Sequence, residues 1–312
     1  MHLGKDFFIM NNFPDFHESC FNIKEYNKTF ETKNVIIHAS AKNVSYADHW
    51  GPLSMKCTIK GSEHYQCSNR FYSVDENCYL ILNNGQYYSS YIYSDTATES
   101  FTINFSNELQ QCVLQSFCNN PDEVFENKYF EFIEKIYQHD SRTQSLLKIL
   151  YNESAQQKPD ILFITETYYS LLENLVLQQA DIKEEIKKIN AVKYSTQLEL
   201  YKRLNYAKDF IHSCYMNAIT IDTLASVACM NPAYFLREFK KYFGVTPHQY
   251  IMQRRLNAAK KLLETTTCSI AEICFAIGYE DVNSFSKLFK KNFQITPLAY
   301  LAGKTKKSFF AS

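Results

Sequence analysis

The chain has 312 residues, of which 46% are hydrophobic and 21% are charged, and its 33 basic residues balance its 33 acidic residues. A chain of this length can form two or three domains with their own cores. It contains no run of about 20 apolar residues and no long apolar stretch near its amino end, so we expect neither a membrane span nor a signal peptide.

Residues 1–120 are predicted to form a β-rich domain. Short segments rich in β-branched and aromatic residues recur at 35–37, 53–59, 79–82, 86–93 and 100–105. Lys60-Gly61 and Asn83-Asn84-Gly85 separate some of these segments, and the second sequence is typical of the turn in a β-hairpin. Short strands at this spacing predict a small barrel or sandwich.

The most unusual stretch of this region is His49-Trp50-Gly51-Pro52, which contains the only tryptophan. His49 and Trp50 are candidate ligand contacts, because an indole ring can stack on a sugar or an aromatic ring. Tyr65 and neighbouring tyrosines are candidates for the lining of a polar pocket. The alternatives are an aromatic plug at the mouth of the domain and the ordinary preference of tyrosine for strands.

Residues 121–195 show helical periodicity. Within the segment from 160 to 190, a ladder of apolar residues recurs at seven-residue spacing and consists of Ile161, Tyr168, Leu175 and Ile182. This spacing is typical of a helix–helix interface, either between two subunits or within one chain. The intrachain partner would be a predicted helix that contains Val124, Phe125, Phe132 and Ile136. We expect a bend near Tyr194-Ser195-Thr196 before the next domain.

The cysteines and histidines do not predict a metal site. The ten cysteines include no C-x-x-C pair, which favours reduced, mostly buried thiols in a cytoplasmic protein. His38, His49 and His64 are separated from one another, and no pair of ligands has the usual zinc spacing. We therefore expect no metal and no cofactor.

Residues 196–312 contain an internal repeat with an offset of fifty positions. The sequence FLREFKKYFGVTPHQY from Phe235 to Tyr250 returns as FSKLFKKNFQITPLAY from Phe285 to Tyr300, with eight identical positions. Such a repeat indicates one supersecondary unit used twice. In each copy, phenylalanines at i, i+4 and i+8 form an apolar helix face, and a Lys-Lys pair makes the helix basic.

The residues around each copy predict a helix-turn-helix. Asp222 and Ser269 are the expected caps of two short helices, and Asn231 with Pro232 is expected to start the first basic helix. The Thr-Pro pair that closes each copy is expected to stop the helix. A helix from about 248 to 264 is predicted to connect the two units.

Residues from about 200 to 303 resemble the DNA-binding domain of the AraC/XylS family of transcription regulators. The matching sequences are Asn231-Pro232, Arg255-x-x-x-Ala259-x-x-Leu262-Leu263, Ser269-Ile270-x-x-Ile273, Gly278-Tyr279, Phe285-x-x-x-Phe289-Lys290-Lys291 and Thr296-Pro297-x-x-Tyr300. The chain departs from the family pattern at Gln294, where the family usually has glycine, and at Cys274 and Leu301.

The resemblance implies double-stranded DNA as the partner and places base contacts on both basic helices. These are Ala233, Leu236 and Arg237 on the first helix and Val282, Asn283, Ser286 and Lys287 on the second. An arginine can bind guanine with two hydrogen bonds, and an asparagine can pair with adenine. Facing outward beside them are Tyr234, Lys240, Lys241, Lys290 and Lys291, of which the lysines are expected to contact phosphates.

Charge is distributed as this interpretation requires. From Thr196 onward there are 16 basic and 8 acidic residues, a net charge of +8, and the preceding 195 residues have 17 and 25, a net charge of −8. Such asymmetry is typical of a nucleic-acid-binding domain attached to a domain of another kind.

The sequence therefore predicts an α+β protein with a cupin-like β-barrel and flanking helices, followed by an all-α tandem helix-turn-helix domain. The barrel and the homodimer, with the seven-residue ladder as its interface, are implied by the resemblance. The predicted function is transcription regulation in response to a small-molecule effector, with RNA polymerase as a further partner if the protein is an activator. The alternatives are a regulator whose barrel is only a scaffold and a catalytic barrel with a DNA-binding tether.

Overall fold

The computed structural model describes residues 7–12, 32–117 and 131–302. The chain divides into two compact units, Met1–Lys202 and Arg203–Ser312. The first unit combines a sheet with helices and the second is all-helical, which confirms the predicted α+β organisation. The predicted regions 1–120 and 121–195 thus lie in one unit. Among the described residues, no helix combines the length and apolarity that a membrane span requires.

The described strands of the first unit form one sheet. They are β1 (Phe7–Met10), β2 (Asn34–Trp50), β3 (Ser54–Lys60), β4 (Ser62–Cys67), β5 (Arg70–Asp75), β6 (Cys78–Leu82), β7 (Tyr87–Asn104) and β8 (Ile136–Gln138). The hydrogen-bonded order is β1-β2-β7-β3-β6-β8, and β4 pairs with both β5 and β7. The β1–β2 pair is parallel, and the others are antiparallel.

The sheet is folded over but is not closed. Strand β7 runs without interruption where the sequence predicted two strands. Its first half pairs with β4 and its second half pairs with β3. The β4–β5 hairpin is thereby brought over β3 and β6, and its buried residues pack against theirs. The path from β1 to β8 does not return to its start, so the cupin-like barrel is not confirmed.

The turn at Asn83-Asn84-Gly85 does not form the predicted hairpin. Gln86 N–H donates to the Asn83 carbonyl at 3.1 Å, and Gly85 has a φ of 75°, so the chain does turn here. However, strand β3 lies between β6 and β7. The prediction of a hairpin was wrong because the turn residues specify a local reversal and not the strand that pairs with the next one.

Three described helices accompany the sheet. They are α1 (Asn107–Phe117), α2 (Ser141–Ser154) and α3 (Ile161–Lys187). Asp160 caps α3 by accepting from two backbone N–H groups. The Tyr168 hydroxyl donates to the Val35 carbonyl at 2.7 Å, and the Tyr168 ring meets Phe105 edge-on. Helix α3 therefore covers the sheet face that carries Phe101, Ile103 and Phe105.

The prediction of a helix that contains Phe132 and Ile136 was wrong at both residues. Ile136 lies in β8 and pairs with Leu80 at the edge of the sheet, and Phe132 precedes that strand in irregular structure. Val124 and Phe125 lie outside the described residues. An edge strand of three residues is too short to produce a recognisable period of two.

The seven-residue ladder belongs to the core of one chain. Tyr168, Leu175 and Ile182 are 0%, 1% and 7% exposed, and Ile161 is partly buried. Tyr168, Leu175 and Ile182 have almost no exposed surface, so packing within one chain accounts for them, and a dimer interface on the ladder is not confirmed. The spacing identified the buried face of α3 correctly, and the partner of that face is the chain's own sheet.

The second unit consists of helices that follow the predicted pattern closely. They are α4 (Tyr194–Cys214, which begins in the first unit), α5 (Ile221–Val227), α6 (Pro232–Phe243), α7 (Pro247–Thr265), α8 (Ile270–Ala276) and α9 (Val282–Phe293). Asn231 caps α6 with Pro232 at its first position, and Ser269 caps α8. Asp222 is not a cap: Thr220 accepts from the Thr223 N–H and starts α5.

The Thr-Pro pairs start helices, whereas the sequence analysis expected them to end helices. Thr246 caps α7 with Pro247 at its first position. Helix α6 has already ended at Gly244, which has a φ of 75°. Gln294 takes the equivalent left-handed conformation after α9, with a φ of 60°. This conformation favours glycine, which explains why glycine is usual at this position of the family pattern.

The burial of the ladder generates a prediction about stability. Replacing Leu175 with alanine leaves a cavity in the core, so the variant should lose about 2–5 kcal/mol of unfolding free energy. The matched control is Leu177→Ala on the same helix, because Leu177 is 42% exposed, and its loss should stay below about 0.5 kcal/mol. Urea unfolding followed by circular dichroism measures both. Equal losses for the two variants would contradict the packing of α3 described above.

Candidate functional site

The two repeat units have the same aromatic core. The Phe239 and Phe243 ring centroids are 4.5 Å apart, and the equivalent distance between Phe289 and Phe293 is 4.6 Å. The ring of Phe239 lies 6.0 Å from Tyr250, and Phe289 lies 6.0 Å from its equivalent, Tyr300. The identical residues of the sequence repeat therefore make identical contacts, and each unit presents its basic helix on the same framework.

The predicted DNA-contacting residues lie on the outer faces of α6 and α9. Those that are exposed are Ala233, Tyr234, Leu236, Arg237, Lys240, Lys241, Asn283, Lys287, Lys290 and Lys291. Val282 and Ser286 are partly buried. Phe235, Phe239, Phe285 and Phe289 are fully buried on the opposite faces. Each helix therefore has one apolar face against its own core and one exposed face that is polar and basic.

Arg237 is held in place by its neighbours on α6. Its Nε–H donates to Glu238 Oε1 at 3.0 Å, and its guanidinium carbon lies 4.9 Å from the centre of the Tyr234 ring. The side chain is nevertheless 70% exposed. The two terminal nitrogens make no hydrogen bond to a described residue, so they present the two-donor edge that matches O6 and N7 of guanine.

An acidic residue, Asp281, caps the amino-terminal end of α9. Hydrogen bonds from Ser284 and Asn283 lower the pKa of its carboxyl. The carboxylate is therefore occupied by the backbone of α9. Asn283 contributes its backbone N–H to this cap, and its exposed side-chain amide makes no hydrogen bond to a described residue.

Arg255 joins three segments of the second unit. On α7, its guanidinium donates to the carbonyls of Tyr215 at 2.7 Å, Gly278 at 2.8 Å and Asn217 at 2.8 Å. Gly278 must be glycine, because its φ is 83° and an added Cβ would lie 2.3 Å from the Met216 oxygen. Arg255 therefore fixes the turn of the second helix-turn-helix to the connecting helix and to the segment that follows α4.

The predicted effector residues are only partly brought together. Tyr65 is buried in the interior between the two layers of the sheet, with its ring 6.2 Å from Tyr88. The ring of His49 lies 4.4 Å from the same Tyr88. Trp50 pairs with Tyr87 at the end of β2 and is partly buried. His49 and Tyr65 therefore both lie beside Tyr88, one of the tyrosines considered for a pocket lining, and Trp50 makes no such ring contact among the described residues.

The sequence analysis also missed two buried charged residues near Tyr88. Lys56 is 7% exposed, and its Nζ donates to the Tyr88 hydroxyl at 3.1 Å. Glu63 is 2% exposed and accepts a hydrogen bond of 2.6 Å from Ser100 Oγ. Burial raises the pKa of the Glu63 carboxyl, and a hydrogen bond from Ser100, the positive charge of Lys56 and hydrogen bonds from Tyr65 and Ser90 oppose that rise. The available signal was the polar series Ser54, Lys56 and Thr58 at alternate positions of one strand.

Comparisons with known proteins agree with the geometry of the second unit. The family model described as "Helix-turn-helix domain" matches residues 224–303. LumQ of Photobacterium leiognathi, a probable transcriptional regulator, is 26% identical over 204 residues, which are 64% of this chain and 74% of that protein. The lactose operon transcription activator of Staphylococcus xylosus is 29% identical over 158 residues, 50% of this chain and 52% of that protein.

The chain therefore spans about half the length of the Staphylococcus xylosus relative. Among solved structures, the C-terminal domain of the two-component response regulator yesN from Fusobacterium nucleatum is 36% identical. That likeness covers 30% of this chain and 93% of that domain, with a TM-score of 0.30.

The role of Arg255 is testable with a conservative change. In Arg255→Lys the charge is kept, but one ammonium cannot reach three divergent carbonyls, so we expect a loss of about 3 kcal/mol in the stability of the second unit. The control is Asn257→Ala on the same helix, an exposed residue bonded only to Gln253, with an expected change within about 0.5 kcal/mol. Thermal unfolding of the full chain measures both. Wild-type melting of Arg255→Lys would show that the three carbonyl bonds contribute nothing.

Proposed function

We propose that this chain, whose C-terminal domain is an AraC/XylS-type double helix-turn-helix domain, is a sequence-specific regulator of transcription. The observation that carries this proposal is the duplication of a basic helix on one aromatic framework. Two such helices on one connecting helix suit two contacts with successive turns of the same DNA. The names of both curated relatives, a regulator and an operon activator, support a role in transcription.

Within each helix, we assign base contacts and phosphate contacts from the position and chemistry of the side chains. Ala233, Leu236 and Arg237 read bases from α6. Val282, Asn283, Ser286 and Lys287 do so from α9. Arg237 binds guanine, with Tyr234 stacked against its guanidinium, and Asn283 pairs with adenine. The lysine pairs near the end of each helix contact phosphates, which set the position of the helix in the groove without selecting a sequence.

The first unit is proposed to bind a small-molecule effector in the interior between its sheet layers. Two of the three residues predicted for this role, His49 and Tyr65, converge there on Tyr88. We further propose that the protein is a cytoplasmic homodimer that binds DNA. When it acts as an activator, it also binds RNA polymerase. The dimer would use residues outside the buried ladder, and sedimentation of the wild-type protein at micromolar concentration tests it.

The proposal as a whole is tested by footprinting on DNA selected for binding. Each chain should protect two major-groove segments about 34 Å apart on one face of the duplex, because each helix-turn-helix unit fills one segment. The protection should be asymmetric, since α6 and α9 carry different residues at the base-reading positions. A single short protected patch would contradict the use of both units.

The division between base and phosphate contacts is tested by a pair of substitutions on α6. Arg237→Ala should lose about 1–3 kcal/mol of binding free energy and relax the preference at one base pair. Lys241→Ala, the matched change one turn away, should weaken binding to all sequences alike and reduce the salt dependence by about one phosphate contact. Affinity is measured on the selected site and on variants at each base pair. If both substitutions weaken all sequences equally, Arg237 contacts only phosphate.

A further inference from the structure

The interior face of β3 and β7 is almost entirely polar. Residues directly opposite each other in this antiparallel pair are Ser54 and Asn104, Lys56 and Thr102, and Thr58 and Ser100. All six are buried, and we call them the polar interior patch. The alternate residues of the same strands face α2 and α3 and are apolar, among them Met55, Phe101 and Ile103. The interior of a domain is ordinarily apolar, so a buried polar patch requires an explanation.

The polar interior patch has unfilled hydrogen-bonding capacity. The Lys56 ammonium has three donors, and its one hydrogen bond to a described residue goes to the neutral hydroxyl of Tyr88. Among the described residues, no carboxylate lies within ion-pair distance of Lys56. Ser54 Oγ and Asn104 Oδ1 are buried without a partner in the described part of the chain. Each such group is destabilising when it stays unpaired, and burial of an unpaired charge is more destabilising still.

We propose that the polar interior patch binds the carboxylate of a small organic acid, which names the chemical class of the effector and rests on the effector role proposed above. Lys56 supplies the positive charge. The Ser54 hydroxyl, at the adjacent position of β3, donates a further hydrogen bond. A carboxylate satisfies Lys56 and Ser54 because it accepts several hydrogen bonds and neutralises the ammonium. Asn104 Oδ1, opposite Ser54, is an acceptor and takes a hydrogen bond from a donor group elsewhere on the ligand.

Glu63 defines the other end of the site. Its carboxyl group meets the patch at Ser100, and Tyr65 and Ser90 also bond to it. This carboxyl group offers a second acidic group on the ligand no positive charge, whereas it can accept a hydrogen bond from a hydroxyl or an ammonium. The ligand class is therefore a monocarboxylate that also carries a hydroxyl or an amino group, with one end at Lys56 and the other at Glu63.

Calorimetric titration of the full chain tests this class with matched pairs of compounds. The hydroxy and amino monocarboxylates D-gluconate, L-lactate and L-serine are compared with D-glucitol, 1,2-propanediol and serinol, which lack the carboxylate. The dicarboxylate malonate completes the panel. At least one monocarboxylate should bind on the order of 10- to 100-fold more tightly than its neutral counterpart, because a hydrogen-bonded charge pair is lost in the latter.

Two lysine variants on one strand separate the patch from general charge effects. Lys56→Met should abolish the preference for the acid. Lys60→Met should retain it, because Lys60 is exposed at the end of the same strand. Without ligand, Lys56→Met removes a buried charge that no described carboxylate pairs with directly, but it also removes the positive charge that stabilises the ionised Glu63 carboxyl. Because these two effects oppose each other, its melting temperature should stay close to that of the wild type. A lower melting temperature together with unchanged binding would make Lys56 a structural residue and overturn the proposal.

The remaining outcomes are also decisive. The proposal is overturned if no monocarboxylate binds, if the neutral compounds bind as well as the acids, or if malonate binds best. DNA affinity of the same preparations is measured in parallel. Absence of sequence-specific DNA binding would overturn the proposed regulator function whatever the ligand result, so the two failures are distinguishable.

Discussion

The second unit depends on a single guanidinium group. Helices of seven residues such as α5 and α8 are too short to be stable alone, because the first turn of a helix is costly and few bonds follow it. Their position is decided by contacts with longer elements, and Arg255 provides the most concentrated of these by binding three carbonyls from two separate segments. Its planar fork suits this role, since an ammonium has no fixed directions for its donors. Gly278 completes the arrangement by allowing the Met216 carbonyl to approach the turn closely.

The second unit is also the part that could be predicted most completely from the sequence. Asn231, Pro232 and Ser269 act locally as caps, and their effect does not depend on distant parts of the chain. The phenylalanine spacing likewise defines a buried face by helical geometry alone. The errors were local: Thr220 replaced Asp222 as a cap, and the Thr-Pro pairs start helices because Thr246 and Pro247 fit the first positions of a helix better than the last.

The first unit was less predictable because its contacts join residues that are far apart in sequence. Turn residues such as Gly85 indicate where the chain reverses, but the insertion of β3 between β6 and β7 depends on the whole sheet. The spacing of Tyr168, Leu175 and Ile182 identified a buried face and could not identify what buries it. Lys56 shows the same limit: alternation in β3 separates two faces, and only the β4–β5 layer determines that the lysine face is interior.

The residues that are identical in the two repeat units have different roles from those that differ between them. The identical residues are the phenylalanines and tyrosine of the core, the threonine and proline that start the next helix, and the lysine pair. Phosphates are the same at every position of DNA, so the lysines can be the same in both units. Arg237 and Lys287 occupy equivalent positions and differ, as do Ala233 and Asn283. If these positions read bases as proposed, the two units read them by different chemistry, and a single chain then specifies a direction along the DNA as well as a sequence.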